Sequence, residues 1–104
     1  MKKGEKIFDL FALNLYLHQP TMDSDEHIIL KKLRDGDSEA LDILYLRYAS
    51  KVRDFAFRLL KDSTDAEDVT HDIFLKIWEQ RRDMGKILSF RGYLFRMTRN
   101  AIFN

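Results

Sequence analysis

Leu41, Leu44, Tyr48, Val52, Phe55 and Leu59 follow one another at steps of three or four residues. That spacing keeps apolar side chains on one face of an α-helix. No glycine or proline interrupts the run, which Asp37 or Ser38 can cap and which ends near Lys61. One proline and four glycines in 104 residues leave little of the punctuation that a β-rich fold needs. There is no strand-like alternation, internal repeat or low-complexity tract. The chain is expected to be all-α.

Its length fits one domain with a modest core. Apolar content of 45% and charged content of 34% describe a globular chain rather than a disordered one. With no cysteine, disulfides and thiolate metal sites are excluded, and the composition fits a reducing cytoplasm. Lys2 and Lys3 precede IFDLFALNLYL, faintly like a secretion signal. Asp9 and Asn14 break that run, no small-residue cleavage site follows, and it is too short to span a bilayer. The expectation is an amphipathic helix from about Ile7 to Leu17 that ends near Pro20, with Met22 as a second possible start and no membrane insertion.

Four further helices are predicted. Asp23 with Glu26 forms a capping box for a helix running to about Arg34, with Ile28, Ile29 and Leu33 inward, stopped by Asp35-Gly36. The long helix follows. Thr64 with Glu67 forms a second capping box for a helix running to about Arg81. After a loop containing Met84-Gly85-Lys86, Ser89 caps the last helix. The architecture is therefore a compact bundle of about four helices with a short extra one at the N-terminus.

Charge is segregated along the chain. Residues 23–80 hold 9 Lys and Arg against 14 Asp and Glu, a net of −5; residues 81–104 hold 6 against 1, a net of +5. A near-neutral total with acidic and basic parts suggests two partners of opposite charge. In the basic part, at about 100° per residue, Phe90, Leu94, Met97 and Ala101 make an apolar seam on the last helix. Arg91, Arg96 and Arg99 spread over the other side, with Phe95, Ile102 and Phe103 among them. Arginine neutralises phosphate and an aromatic ring stacks on an unpaired base, so this pattern suggests single-stranded nucleic acid. The alternative is a solvated basic face whose aromatics lie under a neighbouring helix.

On the third helix Ala66, Val69, Ile73, Phe74 and Ile77 form the buried side, with Trp78 at its margin. Asp68, Asp72, Leu75 and Glu79 line the far side, with His71 beside them. An acidic stripe broken by one leucine suits docking on a basic helix or coiled coil; a plain solvated face is the alternative. Catalysis is not expected. His71 with Asp68 or Glu67 has helical ligand spacing, but a di-metal bundle needs two Glu-x-x-His motifs and two further glutamates. His18 and His27 stand in separate segments, and there is no phosphate loop or activated nucleophile. No cofactor or metal is expected.

GDSEALDILYLRYASKVRDFAFRLLKD, then DAEDVTHDIFLKIW, then SFRGYLFRMTRNAIFN closely resembles the second conserved region of bacterial sigma factors. The likeness is to the extracytoplasmic-function (ECF) group, of the type that answers outer-membrane iron-transport signals. Three ordered motifs at the expected separations are specific together. The resemblance covers about residues 23–104 and implies a cytoplasmic, non-enzymatic transcription-initiation module. Such a module binds the β′ clamp helices of RNA polymerase core and captures the non-template strand of the promoter minus-ten element. It is commonly governed by an anti-sigma factor.

By resemblance, Asp68, His71, Asp72 and Leu75 are the polymerase contact, with Glu79 on the same stripe; His71 stands where glutamine is common. The loop from Arg82 to Ser89, including Lys86, sits where relatives cradle a flipped base. Asn100 matches their DNA-contacting asparagine, and Tyr93, in an aromatic position, is expected to support the loop. The DNA-binding set is thus Arg82, Lys86, Arg91, Phe95, Arg96, Arg99 and Asn100. Relatives continue with more basic residues and a downstream domain that reads the minus-thirty-five element. Residues 23–104 are therefore expected to be a region 2 domain truncated in its last helix, and residues 1–22 an N-terminal extension without a counterpart. The rival reading is a helical protein-interaction adaptor that does not contact DNA.

Overall fold

The computed structural model describes residues 24–104. Four α-helices follow in order: α1 (Ser24–Arg34), α2 (Ser38–Leu60), α3 (Ser63–Glu79) and α4 (Phe90–Phe103). A 3-10 helical turn (Arg81–Lys86) separates the last two. No strand occurs among the described residues. The expected helix at residues 7–17, the start at Met22 and the cap at Asp23 lie outside them.

Local chemistry sets the helix ends. At the end of α1, Gly36 takes φ +95°, and the Asp37 N–H reaches Lys32 C=O while the Gly36 N–H reaches Leu33 C=O. This pair of bonds is the Schellman arrangement, which requires a left-handed residue and so favours glycine. Asp37 then accepts from Glu39 N–H at 3.0 Å and caps α2. Lys61 closes α2 in the left-handed region at φ 60°, a conformation that costs a side-chain-bearing residue roughly 1–2 kcal/mol. Asp62 follows at once and accepts from Asp65 N–H at 2.9 Å. The expected box of Thr64 and Glu67 is therefore corrected: α3 starts earlier because Asp62, a strong capping acceptor, comes directly out of the Lys61 turn. Ser89 caps α4 as anticipated, accepting from Gly92 N–H at 3.1 Å.

α2 is the central element. α1 and α3 run antiparallel to it, with Glu26 beside Tyr48, Arg53 beside Glu67 and Tyr45 edge-on to Phe74 at 5.0 Å between ring centroids. α4 runs parallel to α2, pairing Tyr48 with Phe90 and Phe55 with Phe95. Leu30, Leu33, Leu44, Ile73, Ile77, Met84 and Phe90 fill the centre. Thr70 and Thr98 are fully buried, and each hydroxyl donates to a carbonyl one turn back in its own helix. That satisfies a polar group inside an apolar seam.

The inward face of α1 differs from the expected one. Ile28 is 54% exposed, and the buried stripe is Glu26, Ile29, Leu30 and Leu33. A charged residue opens this stripe because Tyr48 of α2 donates its hydroxyl to the Glu26 carboxylate at 2.7 Å, and Arg47 adds a bond at 3.3 Å. Burial, then the hydrogen bond to Glu26 and its charge, push the Tyr48 hydroxyl up from 10.0 to about 12.

The consequence is alkaline lability. The unfolded phenol ionises near 10.0 and the folded one near 12. Its contribution to stability is therefore complete below the lower value and is lost as pH rises through the upper one. Thermal melts across this window should show a steeper fall for the wild type than for Tyr48→Phe. Equal slopes would remove Tyr48 from the account.

Candidate functional site

α3 turns Asp68, His71, Asp72, Leu75 and Glu79 outward, all exposed, and Ile73 and Ile77 inward. Leu75 is 57% exposed at the middle of the acidic stripe. His71 Nε2 lies 3.1 Å from Glu67 Oε1, and the other Glu67 oxygen takes Arg53 of α2. That bond raises the Arg53 pKa and so holds its charge. His71 thus stands at the margin of the stripe, joined through Glu67 to the bundle, while Asp68, Asp72, Leu75 and Glu79 form its outer face.

The segment expected to be a loop is the 3-10 turn, and Met84 at its middle is fully buried. Met84 packs in the same core as Leu33, so the turn is anchored on α1 as well as on its own ends. Arg82 and Lys86 remain exposed on it. Leu88, just before the α4 cap, is 89% exposed.

α4 is rotated relative to its expected seam. Phe90, Leu94, Phe95 and Thr98 are buried, Met97 is half-buried and Ala101 is exposed. The helix lies against both α2 and α3 and must bury a broader arc than one seam provides. Phe95 is 2% exposed, with its ring centroid 4.0 Å from that of Phe55. The expectation that Phe95 stacks on a base is therefore withdrawn: it is a core residue. Arg91 is also drawn inward, half-buried with its guanidinium 5.6 Å from the Tyr48 ring centroid.

Arg96 and Asn100 face a groove of about 490 Å³ between α4 and the end of α3, where Lys76, Gln80 and Tyr93 also line the wall. Arg99 is half-buried beside it, with a guanidinium nitrogen 3.1 Å from Asn100 Oδ1. Tyr93 donates its hydroxyl to Gln80 Oε1 at 2.9 Å and ties the two helices at the groove floor. Burial first, and the Asp83 charge second, raise the Tyr93 pKa. Tyr93 was expected to support the loop; its hydroxyl bond goes instead to Gln80, at the end of α3.

Lys76 and Gln80 were not among the expected site residues. Their one sequence signal is an i, i+4 polar pair on the flank of α3, between the acidic stripe and the core. Arg81 was likewise missed: its guanidinium covers Trp78 at 4.3 Å and donates to the Trp78 carbonyl, a cation–π contact that closes the end of α3. No helix among the described residues is long and apolar enough to cross a membrane.

Residues 44–104 match the family Sigma-70 region 2. The RNA polymerase sigma-H factor of Pseudomonas aeruginosa is 26% identical over 84 residues, 81% of this chain and 43% of that protein. The ECF RNA polymerase sigma factor SigK of Mycobacterium sp. (strain KMS) is 31% identical over 67 residues, 64% of this chain and 35% of that protein. The chain spans less than half the length of these curated relatives. No solved structure matches it. The family match takes in most of α2, all of α3, the 3-10 turn and α4, which are the elements that carry the acidic stripe and the basic groove. This chain, all-α over its described residues, belongs to the sigma-70 region 2 family, of the ECF type.

Proposed function

We infer that the chain is a transcription-initiation module that acts by binding. Its α3 face, Asp68, His71, Asp72, Leu75 and Glu79, docks on the β′ clamp helices of RNA polymerase core. The 3-10 turn and α4, through Arg82, Lys86, Arg96, Arg99 and Asn100, hold the melted non-template strand of the promoter minus-ten element. Residues 23–104 are the functional unit in this reading, residues 1–22 an extension to it. The module works in the cytoplasm, and an anti-sigma factor is a further partner.

One observation carries the reading. An exposed acidic stripe with a leucine at its middle points away from the core, while a groove on the flank of the same helix gathers Lys76, Arg96 and Asn100. Two surfaces of opposite character on adjoining sides suit a protein partner and a polyanion held at once.

The test uses the full chain assembled with core polymerase and a fluorescent non-template oligonucleotide. Each phosphate met by a cation contributes about −0.7 to the slope of log affinity against log salt. Arg96→Ala with Arg99→Ala should flatten that slope by about 1.4 and weaken all sequences alike. Asn100→Ala should instead alter sequence preference. A double arginine variant that keeps both affinity and slope would hand the assignment to the adaptor reading.

A further inference from the structure

Gly85 is not glycine for backbone reasons. Gly36 is the one glycine at positive φ among the described residues, so the conformation at Gly85 admits a side chain. What sets Gly85 apart is the group above it. A Cβ there would lie 3.3 Å from both Cδ and Nη1 of Arg34, and 3.9 Å from its Cζ. The arginine at the end of α1 is thus laid across the turn at close range. Asp35 Oδ1 takes the Arg34 Nε–H at 3.2 Å, which leaves the terminal nitrogens as the part directed at the turn. Leu33 and Met84, both fully buried, fix α1 and the turn to each other on either side of this contact.

The Arg34 side chain is 44% exposed and sits on the residue next to Lys86, on a turn that also carries Arg82. The turn already bears Arg81, Arg82 and Lys86 against one carboxylate, Asp83, and Arg34 adds a fourth cation. The gathered positive potential is what a polyanion recognises, and a guanidinium can meet a phosphate through two parallel hydrogen bonds. We propose that Arg34 is a phosphate-binding residue of the single-strand surface, contributed by α1 and seated by Gly85. The inference rests on the reading that the turn meets single-stranded DNA.

The experiment titrates the full chain with a fluorescein-labelled single-stranded DNA oligonucleotide and reads anisotropy from about 50 to 200 mM salt. Arg34→Gln should flatten the log–log slope by about 0.7, so that affinity falls about 2.6-fold less across that range than for the wild type. Arg34→Lys should keep the wild-type slope, because the charge remains. Gly85→Ala, whose methyl makes the guanidinium give by a few tenths of an ångström and leaves its charge, should keep a slope close to that of the wild type, with the melting temperature little changed. The Arg82→Gln, Lys86→Gln double variant is the control for the underlying reading. If it flattens the slope while Arg34→Gln does not, Arg34 is only a strap over the turn and the proposal fails alone. If none of these variants flattens the slope, the turn is no nucleic-acid surface and both fail. Should Arg34→Gln unfold the chain, Arg34→Met, which keeps the aliphatic stem and removes the charge, decides the matter: a wild-type slope there overturns the proposal.

Discussion

Phe95→Ala is expected to cost about 3–5 kcal/mol of folding stability, the usual range for emptying a buried phenylalanine site. Phe95 is 2% exposed, and its ring lies against Phe55, with 4.0 Å between centroids. The vacated space lies between two long helices joined on either side to the rest of the bundle, so it can close only partly. At about 4–8 °C per kcal/mol for a domain of this size, the melting temperature should fall by more than about 12 °C. Below the new transition, the affinity of the folded fraction for single-stranded DNA should stay within about twofold of the wild type. Thermal melts and a low-temperature oligonucleotide titration check both parts. An unchanged melting temperature with a loss of about 1–3 kcal/mol in DNA affinity would restore the stacking role that the sequence suggests.

Reversing Asp68 and Asp72 to lysine should give the largest binding effect. Both are exposed on the outer face of α3, in the two turns before Leu75. Like charges set against a basic partner surface cost several kcal/mol, so binding to a β′ clamp fragment should weaken at least about 30-fold at low salt. The defect should shrink as ionic strength rises, because exposed charges are screened. Helicity and melting temperature should barely change, since neither carboxylate packs in the core. Leu75→Ala makes a contrasting probe. It should cost about 1–2 kcal/mol of affinity through lost packing, with little salt dependence. Wild-type binding by the double reversal would show that the stripe is only a solvated face.

The helices themselves were legible in the chain because their determinants are local. The three- and four-residue spacing of α2 needs no partner to be recognised, and the Ser89 cap and the stop at Asp35-Gly36 act within a few residues. The acidic stripe was legible for the same reason: finding it requires only one helix and the side opposite its apolar residues. Where the reading of the chain went wrong, a distant partner had changed what a residue could do. Glu26 reads as a surface charge and cap until Tyr48 and Arg47 satisfy its carboxylate inside the bundle. Ile28 stays on the exposed side. Arg91 and Phe95 read as one polyanion-binding face with Arg96, yet α4 lies between two helices and buries a wider arc than a single seam. The groove joins Lys76 and Gln80 to Arg96 and Asn100, residues brought together only by the antiparallel packing of α3 and α4. Arg34 lies over Gly85 because Leu33 and Met84 share one core. Sequence alone determined which helices form, where most of them end and how charge is divided among them. Tertiary structure decided which side of each helix is free to meet a partner, because that depends on how many neighbours a helix has, which no local period encodes.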